Sequence, residues 1–321
     1  PYEQEKIREW DVSSKKNFLR VPFVRIFKDF GWQKGSIRLA FKKDIEVIVY
    51  HANWHILSHW IAAPIARIMG KRVLFYCMGW YRKHPWYVRW MMHLYYKIPN
   101  GLCLYGRWAK MQGLQKGYDQ KRLHVVYNSL DYKKRQKLRH SLKQEKLIAL
   151  RKKFFGTSDI PIAIRTGRLI PRARIDLLFY AAKTLKDKGK PLNIILVGRG
   201  PEEEKLKKLS SKLDLNVFFY GECYDEDNLS ELIGLSNMTV SPGMTGLTSI
   251  HSCAFGTPVI THDDPWNQMP EWEIVHEGIT GSFYKRGDKD TLVKAIEKWM
   301  CPVMRTPENR ESFAWLLDDQ E

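Results

Sequence analysis

The chain has 321 residues, 44% of them hydrophobic, and a net charge of +18. That length and balance fit a globular protein of about two domains with a packed core. No run of about eighteen apolar residues is present, which excludes a membrane-spanning helix. Five cysteines (Cys77, Cys103, Cys223, Cys253, Cys301) lie far apart without a C-x-x-C pair, a pattern of free thiols in a reducing compartment.

The first ten residues, P-Y-E-Q-E-K-I-R-E-W, are polar and lack the apolar core of a signal peptide. The missing initiator Met suggests a start inside a longer product, or trimming. Residues 21–30, V-P-F-V-R-I-F-K-D-F, place apolar side chains on a helical period, and 37–41 fit a second short helix. Residues 45–50, I-E-V-I-V-Y, form the first clear strand. A helical stretch to about residue 69 and Gly70 separate it from a second strand, R-V-L-F-Y, at 72–76. Strand, helix and strand at this spacing make a βαβ unit and a parallel sheet.

Ligand loops in such sheets follow the carboxyl ends of the strands. That singles out His51, Asn53, Trp54 and His55 after the first strand, and the segment from Cys77 through Met78 and Gly79 to Trp80 after the second. His51, His55 and His59 are spaced four apart, but no carboxylate or cysteine accompanies them. Packing or substrate contact is the better reading than a metal.

Residues 80–97 are the most aromatic segment. After Pro85 a helix carries Trp86, Trp90, Met91 and Leu94 on one side, with Arg89 and Lys97 placed to snorkel. That pattern suits a membrane interface, and equally a helix packed on a sheet. A strand at 101–105, a helix at 107–117 and a strand at 123–127 follow, then a very basic helical stretch over 132–153. Gly156 and Pro161 mark a boundary. The expected division is an N-terminal domain 1–155, a C-terminal domain 156–305 and a terminal helix or tail 306–321, with the helix over 308–317.

In the second half, strands at 162–166, 192–197, 217–220 and 238–241 alternate with helices at 176–188, up to 213, and at 227–236. This alternation predicts a doubly wound parallel sheet. A helix over 288–300 closes it. The stretch 238–261, M-T-V-S-P-G-M-T-G-L-T-S-I-H-S-C-A-F-G-T-P-V-I-T, reads as strand, glycine loop, helix from 247, stop at Gly256, and strand. Gly243 and Gly246 let the backbone approach a ligand closely. The N–H groups of Gly246, Leu247 and Thr248 point out of the helix start, an arrangement suited to phosphate. His251 lies one turn further in. The same unit also occurs in α/β domains with nothing bound.

Charge is unevenly spread. Residues 1–150 hold 30 Lys and Arg against 10 Asp and Glu, a balance of +20, while the remainder sums to −2. The first half also holds 8 of the 12 Trp. Lys and Arg with Trp and Tyr suit an anionic membrane surface. The same mixture suits nucleic acid, although no nucleic-acid module is visible. A plain solvated basic face is the simplest reading of any single charge.

Three segments stand in order: G-R-L-I-P-R-A-R-I-D-L-L (167–178), L-V-G-R-G-P-E (196–202) and S-P-G-M-T-G-L-T-S-I-H-S-C-A-F-G-T-P-V-I (241–260). Together they resemble the donor-binding half of retaining, nucleotide-sugar-dependent glycosyltransferases of the GT-B fold, family 4 (glycosyltransferases group 1). Y-N-S-L-D-Y (127–132), Y-G-E-C-Y-D-E (220–226) and Q-M-P-E-W-E (268–273) are similar to the bacterial surface-polysaccharide branch. The resemblance covers about 45–301 and is densest over 160–285. It implies an α/β chain of two Rossmann-like, doubly wound parallel-sheet domains facing a cleft, the first incomplete at its N-terminus.

The resemblance also implies roles. Arg168 is the diphosphate arginine; Arg172 and Arg174 flank Ala173, the place of a family lysine, and Arg174 is the expected assistant. The amides of Gly246, Leu247 and Thr248 hold the phosphates, and His251 stands where the wider family holds the donor with a glutamate. Gly167, Gly198, Gly221, Cys223, Tyr224, Gly243, Met244, Thr245 and Glu271 complete the donor side, with 221–224 around the base and Glu273 near Glu271. His51, Asn53, His55, Gly79 and Trp80 form the acceptor side. The implied partners are a nucleotide-sugar donor, a polyprenyl-diphosphate-linked glycan or polysaccharide acceptor of the capsule or lipopolysaccharide type, and an anionic membrane surface at the inner face, with no nucleic acid. Donors aimed at a leaving diphosphate lower its barrier to departure, so no cofactor or metal is expected, and no D-x-D motif is present. Gly243 and His251 replace two family glutamates, Ala173 a lysine, and Met78 stands near the place of a histidine. These departures carry the alternative expectation of a member that binds nucleotide or glycan without turnover.

Overall fold

The structure is a computed structural model that describes residues 21–300. The helix expected over 308–317 lies outside the described residues. The chain clusters into two compact units interleaved in sequence, 1–77 with 84–103, and 78–83 with 104–321.

In the first unit, β1 (Phe23–Phe27) and β2 (Phe30–Gln33) pair antiparallel. The helical period expected over 21–30 is therefore corrected to a hairpin. Phe and the β-branched Val24 and Ile26 favour a pleated backbone, and Lys28 turns the chain at φ 47. The ring of Phe23 lies directly on Gly31, where any Cβ would collide with it. The short helix expected at 37–41 is α1 (Ser36–Ala40). Then β3 (Val47–His51), α2 (Leu57–Ile68) and β4 (Arg72–Cys77) form the expected βαβ unit. β3 and β4 are parallel, in register from Val47↔Arg72 to His51↔Tyr76. Next come α3 (Trp86–Lys97) and β5 (Gly101–Leu104), the latter beside β4. α3 buries Val88, Met92, Tyr95 and Tyr96, while Trp86 is 73% and Trp90 61% exposed. One face of this helix packs and the aromatic face stays open.

The second unit begins with α4 (Arg107–Gln115) and β6 (Leu123–Val125). The helical run expected over 132–153 is two helices, α5 (Tyr132–Ser141) and α6 (Gln144–Phe155), because Leu142 and Lys143 are extended. The Asp131 side chain accepts the Lys134 N–H and starts α5. Strands and helices then alternate as β7 (Ile162–Thr166), α7 (Ile175–Asp187), β8 (Asn193–Val197), α8 (Glu203–Lys212), β9 (Val217–Gly221), α9 (Glu226–Gly234), β10 (Met238–Ser241), α10 (Leu247–Ala254) and β11 (Val259–His262). β12 (Gly281–Tyr284), which the sequence did not single out, and α11 (Lys289–Trp299) end the described chain.

The strands lie in the order β9-β8-β7-β10-β11-β12, all parallel. β7 and β8 are buried at every residue, as expected of a sheet covered on both faces. Along β7, Ala163 joins the core with Leu178, Phe179 and Trp299, whereas Ile162 and Ile164 join the core with Leu147, Ile233 and Phe255. The chain winds outward from β7 in one direction and then from β10 in the other. Their carboxyl ends therefore flank the crevice where such sheets bind ligands.

The turn that leaves β7, residues 167–174, is clamped by its neighbours. A Cβ on Gly198 would collide with the Gly167 carbonyl oxygen, one on Gly200 with that of Leu169, and one on Gly243 with that of Arg172. Backbone bonds fix the same contacts: Leu169 N–H to Arg199 O at 2.9 Å, Glu202 N–H to Leu169 O at 3.0 Å and Gly243 N–H to Ala173 O at 3.0 Å. Gly243 has no positive φ, so space alone demands glycine there. Gly243→Ala is expected to lower stability by about 1–3 kcal/mol, read as a lower urea midpoint at unchanged slope; an unmoved midpoint would show that the clamp carries no load.

Candidate functional site

The helix start at the switch point is held from several sides. Gly246 is the N-cap of α10 and no side chain caps it. The first-turn N–H groups of Leu247 and Thr248 have no carbonyl four residues back within the helix. Thr166 Oγ1 donates to Thr248 Oγ1 at 3.1 Å, which joins the end of β7 to the first turn of α10. Ser249 Oγ reaches the Gly246 carbonyl at 2.7 Å and the Glu271 carbonyl at 2.9 Å. Gln268, buried at 3% exposure, accepts the Thr245 N–H at 3.0 Å and donates to Thr261 Oγ1 at 2.8 Å and His262 O at 2.9 Å. The Tyr284 hydroxyl donates to the Pro242 carbonyl. Gln268 and Tyr284 fix the glycine loop, and neither was found from the sequence; a lone Gln carries no signal until its partners are known.

His251 sits on α10 with its Nδ1 buried and unbonded. Burial, and then the charge of Arg135, lower its pKa to about 4, with Glu226 opposing. The imidazole is neutral at physiological pH. Arg135 grips Glu226 through a hydrogen bond at 3.0 Å and an ion contact at 2.8 Å. With Lys134, that contact pulls the Glu226 carboxyl down to about 2.

Gly243, Met244 and Arg174 line a cavity of about 600 Å³, together with Arg82, Lys83, Arg172, Trp266, Gln268 and Arg286. Five cations face it. Two are held by carboxylates: Arg286 by Asp264 at 3.1 Å, and Arg174 by Asp176 through its Nε and Nη2 at 3.1 and 3.2 Å. That second pair raises the Arg174 pKa. Arg168, Gly246, Leu247, Thr248 and His251 are not among the residues lining this cavity. Arg168 is exposed on the turn after β7. The part of the basic lining drawn from residues 82–83 and 286 was invisible to motif reading, because it converges with the turn after β7 from three separate loops.

The remaining expected positions fall as follows. Gly167 (φ 114), Gly198 (φ 130) and Gly221 (φ 82) end β7, β8 and β9 in left-handed turns. Tyr224 is 68% exposed, while Cys223 packs on the apolar cluster of β8 and α9 and its thiol is pushed up by burial. Glu271, 8% exposed, accepts Asn128 Nδ2 at 2.7 Å, and its other oxygen is buried without a bond. Glu273 is spent elsewhere. It accepts the N–H groups of Arg107 at 2.6 Å and Trp108 at 2.8 Å and the Tyr81 hydroxyl at 2.7 Å, so it caps α4.

On the expected acceptor side, Trp80 is 7% exposed and packs on Tyr118, and Gly79 leaves room for Ala109. Both positions serve packing. His51, Asn53 and His55 lie in the first unit at the end of β3. The Asn53 side chain there accepts the His55 N–H at 3.1 Å. His59 is buried, bonded to Gln33 at 2.8 Å, and lowered to about 4 by burial and by His51.

Residues 149–302 match the family model "Glycosyl transferases group 1". An alpha-D-kanosaminyltransferase of Streptomyces kanamyceticus is 24% identical over 172 residues, 52% of this chain and 39% of that protein. A GDP-mannose-dependent alpha-(1-6)-phosphatidylinositol monomannoside mannosyltransferase of Mycolicibacterium smegmatis is 26% identical over 153 residues, 44% of this chain and 39% of that protein. The matched stretch thus spans well under half of each relative. Among solved structures, Anabaena HepE in complex with UDP superposes with a TM-score of 0.68 at 17% identity, covering 85% of this chain and 74% of that one. That likeness concerns the fold. Residues 149–302 therefore match the glycosyl transferases group 1, within an α/β chain that shares the GT-B fold of solved glycosyltransferases.

Proposed function

We propose that the protein is a retaining glycosyltransferase that moves a sugar from a nucleoside diphosphate donor to a lipid-linked or polysaccharide acceptor of a surface glycan. The observation that carries the reading is the uncapped start of α10 at the switch point between β7 and β10, with Arg168 on the turn beside it. The UDP in the HepE structure and the lipid acceptor in the name of the mycobacterial relative support the donor and acceptor classes.

In this reading the bond between the anomeric carbon and the β-phosphate oxygen breaks. An acceptor hydroxyl attacks that carbon from the same face, and its proton passes to the departing phosphate oxygen. The Leu247 and Thr248 amides and Arg168 stabilise the charge that builds there. These groups replace a metal, and the reaction uses no cofactor. Arg172 and Arg174 supply positive charge from the neighbouring cavity. His51, Asn53 and His55 serve the acceptor, and Tyr224 the base.

A second reading is a binder without turnover, and restoring the family lysine does not test it. Ala173 is 2% exposed, so Ala173→Lys would bury an ammonium rather than restore a function. Turnover itself must decide.

A saturating nucleoside diphosphate is expected to raise Tm, by about 2.7 kcal/mol of stability at one hundred times Kd, and one of a panel of nucleotide sugars to be transferred or hydrolysed. Binding without either reaction favours the second reading, and no response to any nucleotide removes both. His251→Ala is expected to weaken donor binding about tenfold, the worth of one hydrogen bond of about 1.4 kcal/mol, and unchanged affinity would remove His251 from the site. As pH falls below 6.5, an unfolded imidazole takes a proton that the folded one refuses until about pH 4. His251→Gln should therefore flatten part of the loss of stability between pH 6.5 and 4. No helix of the described residues is long and apolar enough to cross a membrane. The exposed Trp86 and Trp90 on a basic half instead predict binding to anionic vesicles at low salt, lost near 1 M where the screening length is about 3 Å. Equal binding by the Trp86→Ala, Trp90→Ala double variant would overturn the role of α3.

A further inference from the structure

Arg165 lies on β7 in the run I-A-I-R-T, on the strand face that Ala163 shares with the apolar core of α7 and α11. Its register partner on β8 is Leu196. The residue is 7% exposed, its Nε is shielded and bonded to nothing, and no carboxylate bears on it. Burial lowers its pKa only to about 10, so it stays a cation.

The other buried arginines of the described residues are anchored. Arg135 holds Glu226, Arg139 the Ala254 carbonyl at 2.9 Å, and Arg151 the Ile160 carbonyl at 2.6 Å. A buried charge without a partner costs stability, and such a group calls for an explanation by function or by a ligand. The direction of the side chain supplies one. Its Nη1 lies 3.2 Å from where a Cβ on Gly167 would stand. Gly167 is exposed at the end of β7, next to Arg168, and the preceding Thr166 bonds Thr248 at the start of α10. The guanidinium thus lies beneath the turn, at a residue that carries no side chain.

We propose that Arg165 is a fixed anion receptor beneath the Gly167–Arg168 turn, its terminal nitrogens taking a phosphate oxygen of the bound diphosphate. This rests on the donor reading above and adds to it a residue that matches none of the motifs. Arg168 closes over the phosphate from the exposed side, while Arg165 supplies a positive charge whose geometry is set before the ligand arrives. The core gives up stability for that charge, and the ligand restores it. Arg165 therefore positions and neutralises the diphosphate, and it takes no proton.

The test compares the wild type with Arg165→Met and Arg165→Lys, by thermal melting and by titration with UDP, GDP and inorganic pyrophosphate. Arg165→Met is expected to melt no lower than the wild type without ligand, and to lose at least about tenfold in affinity for whichever diphosphate the wild type binds. Arg165→Lys is expected to fall between them. A methionine variant that melts well below the wild type yet binds as tightly overturns the proposal, because it shows a purely structural arginine. So does equal affinity in a stable methionine variant. If pyrophosphate binds in an Arg165-dependent way while no nucleotide does, the anion receptor stands and the nucleotide donor falls. If no anion of the set shifts the wild type, both fall.

Discussion

The turn after β7 has no freedom of its own, and the candidate site depends on that. Backbone from the β8 loop presses on it through Gly198 and Gly200, and backbone from the β10 loop through Gly243. These contacts leave no volume for a single methyl group. A position so enclosed carries a definite geometry into the site, since packed interiors resist displacement. The same contacts join two departures from the family pattern into one arrangement. Gly243 fits because its N–H reaches Ala173 O, and Ala173 fits because it is buried beneath that contact. Any side chain at 243 would collide with the Arg172 carbonyl, and a lysine at 173 would start from a buried position. Positive charge instead reaches the cavity from Arg172 and Arg174 on either side of the alanine.

The polar groups around the site are spent with similar economy. Glu273 satisfies two first-turn amides of α4 and a tyrosine hydroxyl at once. Glu226 compensates Arg135 close to His251, and burial, added to by the charge of Arg135, keeps the imidazole neutral. Gln268 completes a chain from Thr261 through its own amide to the Thr245 N–H. An unmade bond at any of these buried points costs about 1–3 kcal/mol. Each therefore restrains the loop more firmly than its count of bonds suggests.

The parallel sheet was legible because its strands are short apolar runs between glycine-bearing turns, alternating with helices at βαβ spacing. The glycine loop and helix start at 242–248 were legible for the same reason, since spacing and residue type sufficed. What failed was set by distant contacts. The segment 21–33 becomes a hairpin whose Gly31 lies under Phe23 and donates its N–H to His55 O. Helix and strand are ambiguous in so short an apolar run. Trp80 looked like a cleft residue from its place after β4, but Gly113 on α4 makes room for its ring. Glu273 looked like a neighbour of the donor, yet the atoms it serves are 165 and 166 residues away in sequence. Arg165 carried a readable signal, a cation in a strand otherwise apolar up to Thr166, although no motif called attention to it.

Positive charge is used here in two physically distinct ways. Most Lys and Arg among the described residues 21–150 are exposed, and charge of this kind is screened over about 10 Å at ordinary salt. Screened surface charge attracts anions without fixing their position. At the switch point the donors are amides whose directions are set by Thr166, Ser249 and Gln268, beside arginines set in or against the sheet. Groups already oriented when charge develops need no reorganisation at that moment, and they act in a less polar medium than water. In the proposed transfer, the basic half therefore affects encounter and residence at a surface. The rate of leaving-group departure is governed by the few rigid donors around β7 and α10. Mutations in the two sets should separate accordingly, the first through salt dependence and the second through turnover.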